Sequence, residues 1–340
     1  MRLVRFIPDI DPIRVVGALS ETMDWGQSFM GVDAYRKNSG SSGSGVKMAI
    51  LDTGIDPNHQ DLKPNLMGSV DFTGDNRKLH GHGSHVAGIA GAKANGTGVI
   101  GVAPDCSLYS VRVLDSNGLC PGDYSWIIRG IEWCIENGMD IINMSLGSPE
   151  NPPDELRTIV SKAVNSGIII VSAAGNEGRK DLNWPARFPE VISVAALTKD
   201  GKIANFSNTS DDIKVAAPGC DIYSCWTDGG YAVESGSSMS SPFVAGIIAL
   251  MISYHRDGGD HESPLASWQD AIDHLNRFAN PGNLVTQDGD PVNIGMLDFN
   301  KAMIQRINES CNDQAVMSGV PLWRVKIYEW FHSLIKKLVL

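Results

Sequence analysis

The sequence predicts an α/β fold of three layers, α/β/α, with a mostly parallel central sheet. Short runs rich in Ile and Val at 46–51, 108–113, 140–144, 168–173 and 191–197 read as buried strands. Segments with helical patterns at 82–93, 124–137, 154–166 and 238–255 stand between and after them. That alternation builds parallel units whose ligands bind beyond the carboxyl ends of the strands. Asp52, Ser145 and Asn176 each fall just after a strand, so one rim of the sheet can hold all three.

The 340 residues are 42% hydrophobic, enough for one sizeable core, and show no internal repeat. A net charge of −11 argues against nucleic acid as the main partner. Asp9 and Asp11 interrupt the N-terminus where the apolar stretch of a secretory signal would lie, so a cytoplasmic location is expected. The six cysteines show no CxxC metal pattern and read as free thiols, the close pair Cys220 and Cys225 included. Three segments follow: an N-terminal extension over 1–20, a globular domain over 21–312 and a tail over 313–340. Composition makes 38–45 a flexible Ser/Gly loop. In the tail, Trp323, Ile327, Trp330, Phe331, Leu334 and Leu338 recur at helical spacing among Arg324, Lys326, Lys336 and Lys337. Such a face most often packs on its own domain or a sister subunit, as in a homo-oligomer. Membrane contact through this helix, or docking on another protein, is less favoured.

Chemistry concentrates in four stretches. Gly236-Ser237-Ser238-Met239-Ser240-Ser241-Pro242 precedes a run that is apolar all round and too short to span a bilayer, hence a buried helix. Pro242 suits its first turn, which sets the serines at a helix N-terminus among unpaired N–H groups. A Ser-rich cap would look the same. The other stretches are Asp52-Thr53-Gly54-Ile55, His80-Gly81-His82-Gly83-Ser84-His85 and Ala173-Ala174-Gly175-Asn176. Alone, each is ordinary strand-end or turn chemistry. Together they supply an acid, a base, an amide donor and a nucleophile.

In the chain order Asp, His, Asn, Ser, these stretches resemble the signatures of the subtilisin-like serine peptidases (subtilases). Asn143-Met144-Ser145-Leu146-Gly147 resembles that family's substrate strand, and the likeness spans roughly residues 20–310. The resemblance implies a subtilisin-like fold and a serine endopeptidase acting on protein or peptide substrates. Ser238 would be the nucleophile, His82 the base and Asp52 its orienting acid, with Asn176 an oxyanion donor. The order of the triad and the asparagine donor are general descriptions of subtilisin itself. His85 would be structural and His80 a solvated loop residue. Ser145, Leu146, Gly147, Ala173, Ala174 and Gly175 would line the first pocket and pair with peptide backbone. Residues 118–122 would flank the upstream subsites, and Glu177 would sit on the pocket rim. A large apolar residue before the cut is the expected preference.

The resemblance also implies structural Ca²⁺. Asp61 and Asn95 would contribute side chains, Lys93, Thr97 and Val99 carbonyls, and Glu21 a further ligand, all oxygen donors as Ca²⁺ prefers. Trp184-Pro185 resembles a cis-proline turn of the family. Ser237 and Ser84 stand where the family more often has Thr, and neither change removes a catalytic group. Arg5-Phe6-Ile7-Pro8 resembles the inhibitory Leu-Ile-Pro element of intracellular subtilisins. Residues 1–20 are therefore expected to lie across the site until removed. The alternatives are a narrow processing peptidase, a transpeptidase, and a peptide-binding scaffold with a vestigial triad.

Overall fold

A computed structural model describes residues 20–122, 124–258, 265–280, 284–286, 289, 291–292 and 295–299, with the backbone of 2–5 and 13–15. The tail over 313–340 lies outside the described residues. The chain opens with β1 (Arg2–Arg5), β2 (Ile13–Val15), α1 (Trp25–Met30) and α2 (Val32–Ser39). Next come β3 (Lys47–Asp52), β4 (Leu66–Asp71), α3 (His82–Gly91), β5 (Ser107–Arg112), β6 (Leu119–Gly122) and α4 (Ser125–Glu136). The middle holds β7 (Ile141–Met144), α5 (Asp154–Asn165), β8 (Ile169–Ala173), β9 (Ile192–Leu197) and β10 (Val215–Pro218). The remainder is β11 (Ile222–Cys225), β12 (Tyr231–Glu234), α6 (Ser237–Arg256), α7 (Trp268–Phe278), β13 (Ala279–Asn280), β14 (Leu284–Val285), β15 (Pro291–Val292) and β16 (Met296–Leu297).

The expected three-layer α/β/α architecture holds. Nine strands form the central sheet in the order β13-β16-β10-β9-β8-β7-β3-β5-β4, all parallel except β13. Strand period sorts the core onto two faces. Met48, Ile50, Ile169 and Val171 pack with α3 and α6, while Ala49, Leu51, Ile142 and Ile170 pack with α4 and α5. The chain leaves β3 toward β5 through α3 and returns to β7, on the other side of β3, through α4. That reversal opens a crevice at the carboxyl ends of β3 and β7.

Three features differ from the sequence reading. The Ser/Gly loop is held rather than flexible. Ser41 is buried with its Oγ donating to the Leu250 carbonyl at 2.7 Å, and a Cβ on Gly43 would come within 2.8 Å of Ala103. Strand β4 went unread because it is an edge strand, half-exposed at alternate positions, with Gly68, Ser69 and Asp71 breaking its apolar run. Helix α6 begins at Ser237, so Pro242 lies in its second turn rather than its first. Proline there cannot donate to the carbonyl four residues back, which leaves the Ser238 oxygen open. The Ser145 hydroxyl fills that vacancy at 2.8 Å. At 20 residues α6 is long and apolar enough to cross a membrane, yet its apolar window is 94% buried inside the fold.

The N-terminal strands lie away from the central sheet. Backbone of β1 pairs antiparallel with β6, from Arg2 opposite Gly122 to Arg5 opposite Leu119. Backbone of β2 joins β12 beside β11, with Ile13 opposite Val233.

Candidate active site

The crevice gathers the four expected side chains from neighbouring elements. Asp52 ends β3, and both it and His82, the first residue of α3, are fully buried. His82 Nδ1 lies 2.8 Å and 3.0 Å from the two Asp52 carboxylate oxygens. A carboxylate only accepts, so Nδ1 carries the proton and Nε2 is left basic. Thr53 locks the arrangement by donating to the His80 carbonyl at 3.1 Å and accepting from the Gly83 amide at 3.0 Å. Gly83 must be glycine, because a Cβ there would lie 2.4 Å from the Gly54 carbonyl. The loop before His80 is tied down in turn: the Arg112 guanidinium donates to Asp71 at 3.0 Å and to the Asp75 carbonyl at 2.6 Å.

Ser238 is the second residue of α6, so its backbone N–H has no partner within the helix. Its Oγ donates to the Ser145 carbonyl at 3.3 Å. Ser145 acts more as a brace than as a pocket wall. Its hydroxyl bonds the Ser238 carbonyl, accepts from Asn143 Nδ2 at 3.0 Å and meets Ser241 Oγ at 2.7 Å. Asn176 follows β8, and its Oδ1 accepts from both the backbone N–H and the hydroxyl of Ser237, each at 2.9 Å. With Oδ1 engaged by Ser237, Nδ2 is the donor this side chain would offer a developing oxyanion. Sequence reading treated Ser237 as a tolerated variant, but its hydroxyl sets the orientation of Asn176.

Leu146, Gly147, Ala173, Ala174 and Gly175 are all buried beside this cluster. Gly175 has φ +116°, and a Cβ there would meet Asn208 at 2.2 Å. Glu177 accepts from Asn183 at 3.1 Å and Asn208 at 2.6 Å and pairs with Arg179 at 3.2 Å. These contacts outweigh its partial burial and hold its carboxyl below the usual range. Arg179 neutralises that charge, which weakens any pull on a basic substrate side chain. The segment expected to flank upstream subsites is β6, whose edge β1 occupies.

His80 is not solvated: its Nδ1 accepts from the His82 amide at 3.2 Å and its ring packs edge-on against Trp226. His85 is structural, as expected. Its Nε2 faces the carbonyls of Ile222 at 3.0 Å and Ala232 at 3.2 Å, so that nitrogen carries the proton. Its Nδ1 lone pair then faces Glu234 Oε2 at 4.0 Å. Neither atom has a hydrogen-bond partner among the described residues. Burial, with Asp52 nearby, pushes the Glu234 carboxyl up to about 7 against the pull of His82, while burial and then His82 push His85 down to about 3. Sequence reading missed Glu234, which carries no motif signal beyond lying just ahead of Ser238.

The residues of the expected calcium loop are hydrogen-bonded to one another. Asp61 is fully buried; its carboxylate accepts from Asn95 Nδ2 at 2.9 Å, the Val99 amide at 3.0 Å and the Tyr231 hydroxyl at 2.8 Å. Glu21 accepts from the amides of Asn95 at 2.8 Å and Gly96 at 2.9 Å. The Lys93 amide donates to the Asp61 carbonyl at 2.8 Å, and Asn95 Oδ1 accepts from Thr97. Asp61, Glu21 and Asn95 carry side-chain oxygens of the kind that suits Ca²⁺. Cys225 and His59 also approach Asp61, but both His59 nitrogens are engaged and burial keeps the Cys225 thiol protonated.

The Trp184–Pro185 bond is cis, and neither Cys220 nor Cys225 is in a disulfide among the described residues.

The sequence profile of the subtilase family matches residues 43–286. Subtilisin E of Bacillus subtilis is 46% identical over 64% of this chain and 58% of its own length. A thermostable alkaline protease of Halalkalibacterium halodurans is 44% identical over 69% of this chain and 64% of its own. An intracellular serine protease of Paenibacillus polymyxa is 45% identical over 63% and 70%. The chain thus spans about 58% of the length of Subtilisin E and of Subtilisin NAT.

Two outcomes follow from these contacts. Ser237→Ala removes the hydroxyl bond to Asn176 Oδ1 and leaves only the backbone one, and kcat on a peptide substrate is expected to fall about tenfold with KM changing less than about twofold. An unchanged kcat would mean that Ser237 does not orient Asn176. Glu234 titrates near 4.5 when unfolded and about 7 when folded, so its neutral form favours the fold. That stabilisation is complete below pH 4.5 and lost as pH rises through 7. In urea unfolding of a Ser238→Ala chain, adding Glu234→Gln should therefore gain on its parent by roughly 2–3 kcal/mol between pH 5 and pH 9. Parallel pH profiles would count against it.

Proposed function

The chain belongs to the subtilase family, and on that premise we propose that it is a serine endopeptidase hydrolysing peptide bonds through an acyl-enzyme on Ser238. The observation that carries this reading is the buried His82–Asp52 pair, with its basic nitrogen left for a serine at the start of α6. His82 Nε2 takes the Ser238 proton as Oγ attacks the scissile carbonyl. Asp52 holds the tautomer and stabilises the imidazolium. The oxyanion receives hydrogen bonds from the Ser238 backbone N–H and Asn176 Nδ2, and losing one such donor costs about 3–4 kcal/mol. The imidazolium then gives its proton to the leaving amine. Water, deprotonated by the same nitrogen, releases the acid and restores the serine. Leu146, Gly147 and 173–175 form the wall against which the residue before the cut rests.

Casein hydrolysis should fall by about a thousandfold or more in Ser238→Ala. Hydrolysis that persists in that variant would refute the assignment.

Residues 1–20 act in this reading as a built-in inhibitor. Pairing of β1 with the β6 edge supports it, because backbone that would flank a bound peptide is occupied by the chain itself. Removing residues 1–20 should raise the initial rate and abolish any lag; an unchanged rate would sink the idea.

Ca²⁺ belongs to the same proposal. Glu21, Asp61 and Asn95, with the carbonyls of Lys93, Thr97 and Val99, would hold it, and the ion would supply charge that fixes the loop after α3. Chelation should lower the melting temperature of the Ser238→Ala chain, and Asp61→Asn should remove most of that difference. Equal melting with and without chelator would exclude a stabilising site.

A further inference from the structure

Far from the crevice, the end of α6 meets α7 at two imidazoles. His255 lies in the last turn of α6 and His274 on α7, with their Nε2 atoms 3.0 Å apart. His274 is 6% exposed, and its Nδ1 sits 2.8 Å from the Asp270 carbonyl. A carbonyl only accepts, so Nδ1 carries the proton and Nε2 of His274 is a lone pair. That is the tautomer a metal ligand needs, fixed in the way metal-binding histidines are commonly fixed. The His255 ring stands at 75° to it and is only half-buried.

We propose that His255 and His274 form a two-imidazole site for a divalent transition-metal cation, clamping the C-terminal end of α6 to α7. Metal–nitrogen bonds of about 2.0–2.1 Å across a 3.0 Å gap subtend an angle of about 91–97°. That is the cis angle of square-planar or octahedral Cu²⁺ and Ni²⁺, met without moving either helix. A tetrahedral Zn²⁺ needs the nitrogens about 0.3 Å further apart. When the cation enters, the proton on His255 Nε2 is exchanged through water for one on Nδ1, and the metal takes its place between the rings. Water completes the coordination.

The local field favours a cation. The last carbonyls of α6 present the negative end of the helix dipole. Asp270 caps α7 through the Ala266 amide at 3.0 Å and Ser267 Oγ at 2.9 Å, and its charge acts on His274. Arg256, the nearest cation in sequence, is drawn off to Asp140 and the Gly45 carbonyl. Seventeen residues separate His255 from Ser238, about 25 Å along the helix, so the clamp and the hydrolytic chemistry are separable.

The test uses the full chain carrying Ser238→Ala, which prevents self-digestion, with Cu²⁺ and Ni²⁺ as probes. One equivalent of Cu²⁺ should give an electron paramagnetic resonance spectrum with coupling to two imidazole nitrogens. Ni²⁺ should raise the melting temperature. His255→Gln and His274→Gln should each weaken Ni²⁺ binding at least tenfold and remove the two-nitrogen signal. Circular dichroism identifies the folded variants, and either one suffices to decide. Binding or a two-nitrogen signal that survives in a folded variant overturns the proposal, as does a parent that takes up neither metal.

Discussion

The halves of the site are joined at Ser145, above all by its Oγ donating to the carbonyl of Ser238. That bond exists because Pro242 has no N–H to give to that carbonyl, so α6 has a gap in its ladder beside Ser238. The loop after β7 fills the gap, and Asn143 and Ser241 hold the filling hydroxyl. A helix start is thereby pinned to a strand end, which fixes the open backbone N–H groups relative to the crevice. On the opposite wall, Ser237 ties the same helix start to Asn176 after β8. Strands β3, β7 and β8 are neighbours in the sheet, so their registers set the spacing between Asp52, Ser145 and Asn176.

The layered fold and the four chemical stretches were legible because each depends on local pattern. Buried parallel strands read as Ile/Val runs, and the helix over 124–137 shows its periodicity plainly. What stayed hidden depends on partners distant in sequence. The second-turn position of Pro242 follows from where the helix begins, and that is decided by Ser237 meeting Asn176, 61 residues away. Ser41 looks like linker chemistry until Leu250, 209 residues on, offers its carbonyl. His80 seemed solvated because nothing near it in sequence announces Trp226. Glu234 sits in a short strand with no motif, and its unusual proton affinity arises from burial, with the Asp52 charge adding to it and His82 opposing it.

The described backbone also joins the N-terminal extension to the reading of the site. A strand edge that accepts peptide must be left unpaired or covered by something that can leave. β1 contributes four residue pairs to β6, and β2 three to β12. Both are short additions to edges outside the central sheet. Neutralisation of Glu177 by Arg179 fits the same picture of a pocket wall that is apolar and uncharged.

The central claim is that His82, oriented by Asp52, activates Ser238 and no other serine. Reaction of the chain lacking residues 1–20 with a fluorophosphonate, followed by intact-mass and peptide-mass measurement, tests it most directly. One adduct per chain on Ser238, formed at least about a hundredfold more slowly in His82→Ala, is the predicted result. An adduct on another serine, or equal labelling without His82, would contradict it.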